Sequence, residues 1–263
     1  SAFNLKKAIA SYDFSSILQW PICQIERKKI MKDFTWKGMR CSVWEPDGAL
    51  KEVPLLILAG GEQEDVLFQR LEKRYKKGAP GLLIAFQVSD WNDAYSPWPM
   101  EKIYRDGSSF GGKGRWTLQW LTEELIPWAD QAYAVRARMI AGYSLAGLFA
   151  LWSFYESGLF DGCASCSGSL WFAGWMEYAK THRTKRPSIS YLSLGRKEEK
   201  TKNSYMQRVG DCTRQMAEWQ QEDPLIRENT LVWQDGGHFN DPAGRVMAGM
   251  DWLWNRLKTL TDY

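Results

Sequence analysis

The chain has 263 residues, 44% of them hydrophobic and 25% charged, with 34 Lys+Arg against 31 Asp+Glu. That length and composition suit a soluble globular chain with a large core, and a net charge of +3 gives no basic footprint for nucleic acid. No apolar run approaches the roughly 18–20 residues of a membrane span.

Taken in chain order, Phe14 to Trp20 is a short apolar helix or strand, and Arg40 to Trp44 is a strand before a Pro-Asp-Gly turn at Pro46 to Gly48. Val53 to Ala59 is a continuous apolar run ended by Gly60-Gly61, as in a strand buried on both faces of a parallel sheet. Val66 to Lys77 has helical spacing, with Val66, Leu67, Leu71 and Tyr75 on one side. Gly81 to Phe86 is a second buried strand. Asp90 to Gly114, rich in Trp, Pro and Gly, reads as a long irregular loop, and loops of that length in a compact domain are often functional.

Trp116 to Tyr133 reads as a helix bent or broken at Pro127, with Leu118, Leu121, Leu125 and Trp128 on one stripe. Ala137 to Ala141 is a third buried strand and Leu145 to Tyr155 an apolar helix. Cys163 to Ser167 and Ile189 to Leu194 are further strands, separated by a helix over Trp171 to Lys180. Ser204 to Gln221 is helical, Thr230 to Gln234 is a sixth strand, and Val246 to Leu260 is an amphipathic helix that packs on the sheet or on another subunit. Strands alternating with helices imply an α/β fold: a mostly parallel central sheet with helices on both faces, in one domain over 1–263. Ligands of such sheets bind beyond the C-terminal strand ends.

The residue inventory limits the chemistry. There are two histidines, His182 and His238, no HExxH, no Cys/His group with zinc spacing, no Walker loop and no GxGxxG. Cys163 and Cys166 form a CxxC, but within a strand two residues three apart face opposite sides, which argues against a redox or metal pair. Neither metal nor organic cofactor is expected. An activated nucleophile remains.

Two serines have the spacing for it. Gly107-Ser108-Ser109-Phe110-Gly111 is a literal GxSxG, but no strand leads into it and glycines follow. Gly142-Tyr143-Ser144-Leu145-Ala146 is a near match between an apolar strand and an apolar helix, the context that a sharp strand–turn–helix elbow requires. Its small residues two positions either side of Ser144 allow the backbone to close up. Ser144 is therefore the candidate nucleophile, and the Leu145 N–H at the helix start a donor to an oxyanion. A plain β-to-α turn capped by serine is the competing reading.

His238 stands at a strand end in Gly236-Gly237-His238, after the nucleophile in the chain, and is the candidate base; His182 lies in a basic surface stretch. The acid follows the fifth strand: Glu198, with Glu199 in reserve, or no carboxylate at all if Arg196 to Lys202 is only a solvated charge run. Gly61 and Glu62, after the first buried strand, are candidates for a second oxyanion donor. Trp91, Trp98 and Trp171 are candidate pocket walls, against the alternative that they pack the long loop on the domain. Lys102, Arg105, Lys113 and Arg115 are in place to attract an anionic ester such as a catecholate complex.

Ala141 to Trp152 resembles the elbow of the putative esterase family of α/β-hydrolases, which includes enterochelin-type siderophore esterases, S-formylglutathione hydrolases, feruloyl and acetylxylan esterases and mycolyltransferases. Asp90-Trp91-Asn92, Ser96-Pro97-Trp98, Ser167 to Trp171 and Gly236 to Phe239 agree with it, over roughly residues 50 to 257. The resemblance implies an α/β-hydrolase domain with N-terminal strands and a leader in 1–50 and an aromatic loop over the site in 90–115. It implies Ser144 as nucleophile and His238 as base, with Glu198 where many relatives have Asp, and an ester substrate of aromatic or siderophore type. An acyltransferase and a non-catalytic ligand-binding module stay open. The partner expected is a small-molecule ester, without nucleic acid or membrane, and a homo-oligomer is compatible with the apolar last helix. Five cysteines, an odd number, and the lack of an apolar signal core at Ser1 to Lys7 place the expectation in the cytoplasm.

Overall fold

The structure is a computed structural model, and it describes residues 31–46, 52–62 and 64–257. The expected segment Phe14 to Trp20, the Asp47-Gly48 part of the turn and the end of the last helix past Leu257 lie outside these residues.

Among the described residues the centre is an eight-stranded sheet in the order β1-β2-β4-β3-β7-β8-β9-β10. The strands are β1 (Met31–Trp36), β2 (Met39–Trp44), β3 (Val53–Gly61), β4 (Leu82–Val88), β7 (Val135–Tyr143), β8 (Gly162–Cys166), β9 (Ser188–Gly195) and β10 (Ile226–Gln234). From β4 through β3, β7, β8 and β9 to β10 every pairing is parallel, while β1 and β2 add an antiparallel hairpin at one edge. The apolar runs form the middle strands because parallel strands covered by helices are buried on both faces; every residue of β3, β4, β8 and β9 is buried.

Side chains alternate between two cores. Leu55, Ile57, Ile84, Phe86 and Ile140 face one side, under α2 (Trp91–Tyr95), α3 (Gly114–Trp120), α4 (Ile126–Tyr133), α5 (Leu145–Ser157), α6 (Trp175–Thr181) and α7 (Val209–Glu222). Leu56, Leu58, Leu83, Met139 and Ala141 face the other, under α1 (Asp65–Arg74) and α8 (Pro242–Arg256). Cys163 falls in the first core and Cys166 in the second, as strand alternation requires, and burial pushes the Cys166 thiol up to about 12. The described part of the last helix packs on the sheet through Val246, Met250, Leu253 and Trp254.

Four local expectations are corrected. In α1, Leu67, Leu71 and Tyr75 are buried but Val66 is 60% exposed, because the helix begins at Asp65 and its buried stripe falls one position further round. The stretch Asp90 to Gly114 is not structureless: it holds α2, N-capped by Asp90, and a short antiparallel pair, β5 (Pro99–Met100) and β6 (Phe110–Gly111). The next helix begins at Gly114, and a π-turn at Leu121–Leu125 sits just before Pro127, where a widened turn absorbs the missing N–H and the ring. Strand β10 starts at Ile226, four residues before its apolar end.

Candidate active site

The C-terminal ends of β3, β7, β9 and β10 bring the site together. Ser144 follows β7 directly and adopts φ 58°, ψ −123°, a conformation that costs a non-glycine residue roughly 1–3 kcal/mol. The surrounding backbone imposes it. Ser144 N–H donates to the Cys166 carbonyl at 3.0 Å, and the Ser144 carbonyl accepts from Leu148 N and Ser169 N, each at 3.0 Å. A Cβ on Gly142 would lie 2.3 Å from the Ala146 carbonyl oxygen. One at Gly147 would come within 3.1 Å of the Gly142 oxygen and the Gly168 Cα. Glycine is thus needed at 142, whereas Ala146 fits where a second glycine is usual. Gly142→Ala is expected to cost about 2–3 kcal/mol by overpacking. A thermal melt should show it as a Tm lower by roughly 5–10 °C.

His238 stands in the turn after β10, held by the Tyr143 hydroxyl, which donates to its backbone carbonyl. Burial pushes that phenol up to about 12, so it stays a donor. The imidazole Nε2 lies 2.9 Å from Ser144 Oγ and Nδ1 lies 2.8 Å from Glu198 Oε2. With Nδ1–H donating to the carboxylate, Nε2 is left as an acceptor for the serine proton. His182 does not approach this group; it stacks on Tyr178 at 3.7 Å with Nδ1 2.7 Å from the Tyr178 carbonyl.

Glu198 and Glu199 part at the turn after β9, where Glu198 N–H donates to the Gly195 carbonyl. That turn sends Glu198 inward and Glu199 to Arg214, at 2.9 Å. The Glu198 side chain is 4% exposed. Its Oε2 serves His238, while Oε1 accepts from Ser167 Oγ (2.7 Å), Gly195 N (2.8 Å) and Arg245 Nη1 (2.7 Å). Burial pushes this carboxyl up, but the hydrogen bond and charge of His238, with the donors Ser167 and Gly195, outweigh it and hold the group below the ordinary carboxylate value.

Arg245 is a site residue that the sequence reading missed. It lies in the first turns of α8, 4% exposed, and reaches Ser167 Oγ at 3.0 Å and the Asp235 carbonyl at 2.9 Å besides Glu198. A single arginine among small and apolar residues carries no local signal for this; only packing of α8 across β7, β8 and β9 puts it there.

The N–H of Leu145, first residue of α5, has no helical acceptor. On the opposite side, Gly61 ends β3 and Glu62 follows in an exposed turn. Burial pushes the nearby Glu64 carboxyl up, although the Gly61 backbone beside it favours the ionised form. The loop is braced by Tyr95, whose buried hydroxyl donates to the Gly60 carbonyl at 2.7 Å. The Trp91 ring lies against Gly61, where a Cβ would come within 3.1 Å of it, and meets Tyr95 edge-on at 5.0 Å. Trp98 donates its indole N–H to the Ala173 carbonyl at 2.7 Å, and Trp171, 8% exposed, packs on Phe110 and Phe172. Both fasten the 96–111 segment to the turn after β8.

Of the four cations in that region, Lys113 is bound to Asp93 (2.6 Å), Arg115 to Glu156 (3.3 Å) and Lys102 to the Arg105 carbonyl (2.9 Å). Ser109 is an exposed loop residue beside Glu101. Among the described residues no cluster of three metal-ligating side chains occurs, and no helix is long and apolar enough to cross a membrane.

Structurally, the chain is similar to the siderophore hydrolase EstA of Aspergillus nidulans, with 16% identity, 90% of this chain and 99% of that one covered, and a TM-score of 0.67. It is also similar to an IroE-like serine hydrolase of Shewanella oneidensis, with 14% identity, 86% and 80% covered, and a TM-score of 0.71. At those identities the likeness is one of fold. In sequence, it is 23% identical over 187 residues to the uncharacterized protein YbbA of Bacillus subtilis, covering 68% of this chain and 75% of that one. The family described as "Putative esterase" matches residues 37–238, well over half of the chain. The chain belongs to the putative esterase family and is a carboxylic ester hydrolase of α/β-hydrolase fold.

Proposed function

We propose that the chain cleaves its ester through an acyl-enzyme on Ser144. The observation that carries this reading is the unbroken relay from Ser144 Oγ through His238 (2.9 Å, then 2.8 Å) to a buried carboxylate. His238 Nε2 takes the hydroxyl proton as Ser144 Oγ attacks the carbonyl carbon. The resulting oxyanion accepts from Leu145 N–H and from the N–H of Gly61 or Glu62. The tetrahedral intermediate collapses as His238 returns the proton to the leaving alcohol. Water, deprotonated by the same imidazole, then releases the acid. Glu198 fixes the imidazole tautomer and stabilises the imidazolium at each step. No metal or cofactor takes part.

The substrate we infer is a small-molecule ester of aromatic or siderophore type, in keeping with the "siderophore hydrolase" likeness and with Trp91 beside the oxyanion loop. The pairing of Lys113 with Asp93 and of Arg115 with Glu156 argues against recognition of an anionic complex by those two residues. We place the enzyme in the cytoplasm, in keeping with the free thiols of Cys41, Cys163, Cys166 and Cys212.

A fluorophosphonate probe tests the reading. Mass spectrometry is expected to find the adduct on Ser144, with labelling slowed at least a hundredfold in His238→Ala. An unlabelled protein, or an adduct on another residue, would overturn it.

A further inference from the structure

A cleft of about 350 Å³ opens at the catalytic end of the sheet, on the side of Ser144 away from His238. Met39, Val88, Trp116, Trp120 and the Asp93–Lys113 pair line it, and Glu62 joins it to the loop proposed to hold the oxyanion. That volume lies in the range of small-ligand sites. Trp116 is 72% exposed in a protein that buries Trp44, Trp152 and Trp175 completely. Trp116 and Trp120 are four apart on one helix and so share a face.

The strand order decides which part of a substrate reaches this cleft. Ser144 follows β7, the cleft lies over the ends of β2 and β4, and β3 stands between. Two strand spacings set it about 10 Å from the nucleophile. His238 comes from β10, on the other side of β7. The leaving oxygen must meet His238 Nε2 to be protonated, so the alcohol part of the ester extends towards β10. The acyl part is left to extend towards β3 and β4.

We propose, building on Ser144 as the nucleophile, that this cleft is an acyl subsite selecting an extended acyl group that ends in an aryl ring. The ring lies on the Trp116–Trp120 face about 10 Å from the scissile carbonyl. The rim carries both signs, Arg40 and Lys113 against Glu62, Asp90 and Asp93, which favours a neutral ring over an anion.

Three 4-nitrophenyl esters with one leaving group test the proposal: acetate, hexanoate and 6-phenylhexanoate. The kcat/KM for 6-phenylhexanoate is expected to exceed that for hexanoate at least tenfold, and Trp116→Ala to cut that ratio at least fivefold. A ratio near one, or one that Trp116→Ala does not move, overturns the proposal while acetate turnover still supports the hydrolase reading. Calorimetric binding of the free acids to Ser144→Ala reads the cleft without turnover. There 6-phenylhexanoate should bind at least fivefold tighter than hexanoate, and the added Trp116→Ala change should abolish the difference. Equal binding of the two acids overturns the proposal. If no ester is turned over, the Ser144 reading falls, and the binding arm alone decides the cleft.

Discussion

Ser144→Ala is expected to lower kcat for 4-nitrophenyl acetate by roughly 10⁴–10⁶ while leaving the fold intact, because removing one member of such a relay disables all of it. What rate remains would come from the oxyanion donors and substrate binding alone. A second replacement separates chemistry from architecture. Ser144 is held at φ 58°, ψ −123° by the Cys166, Leu148 and Ser169 backbone bonds, and glycine adopts that region without the Cβ penalty. Ser144→Gly should therefore be as inactive as Ser144→Ala yet about 1 kcal/mol more stable, a Tm higher by roughly 2–4 °C. Turnover within tenfold of the parent in either variant would remove Ser144 from the mechanism. A lower Tm for Ser144→Gly would show that the elbow stores no strain.

Arg245→Met is expected to be the most damaging change outside the nucleophile and base. Arg245 and Glu198 are each 4% exposed, and the guanidinium is the fixed cation on Glu198 Oε1. Removing it leaves a buried carboxylate short of a partner, at a cost of about 3–5 kcal/mol, or roughly 10 °C in Tm. The pH profile distinguishes electrostatic positioning from mere support. Without the guanidinium, the carboxylate is protonated more readily, and a protonated Glu198 no longer stabilises the imidazolium, so the acid limb of kcat/KM should move to higher pH. Arg245→Lys should restore much of the limb and less of the stability, since an ammonium reaches Glu198 but not the Asp235 carbonyl as well. A limb that stays in place in Arg245→Met would leave Arg245 a packing residue only.

Stability should follow pH with a defined sign. Glu198 is held below its ordinary value of 4.5, so its folded form binds fewer protons than the unfolded chain in that window. Its contribution is complete above about pH 4.5 and is lost as pH falls through the lower, folded value.

The sequence by itself determined the parallel centre of the sheet and two of the three members of the proposed relay. Strands β3, β4, β7, β8 and β9 are legible because burial on both faces demands unbroken apolar runs. Ser144 and His238 are legible because an elbow and a strand-end Gly-Gly-His are local patterns. Edge strand β1 was not legible. Its MKDFTW faces solvent on one side, and its hairpin closes through Lys37-Gly38, both at positive φ, rather than the usual Asn-Gly. The polar start of β10 was hidden for the same reason of partial exposure. Tertiary structure alone decided between Glu198 and Glu199, two identical side chains that one turn after β9 sends to His238 and to Arg214. It alone brought Arg245 under the carboxylate, set Trp98 on the Ala173 carbonyl and Trp171 on Phe110, and left Trp116 exposed. Local backbone patterns announce strands and elbows, but which charge meets which depends on residues 15 to 47 positions apart, and no spacing in the chain encodes that meeting.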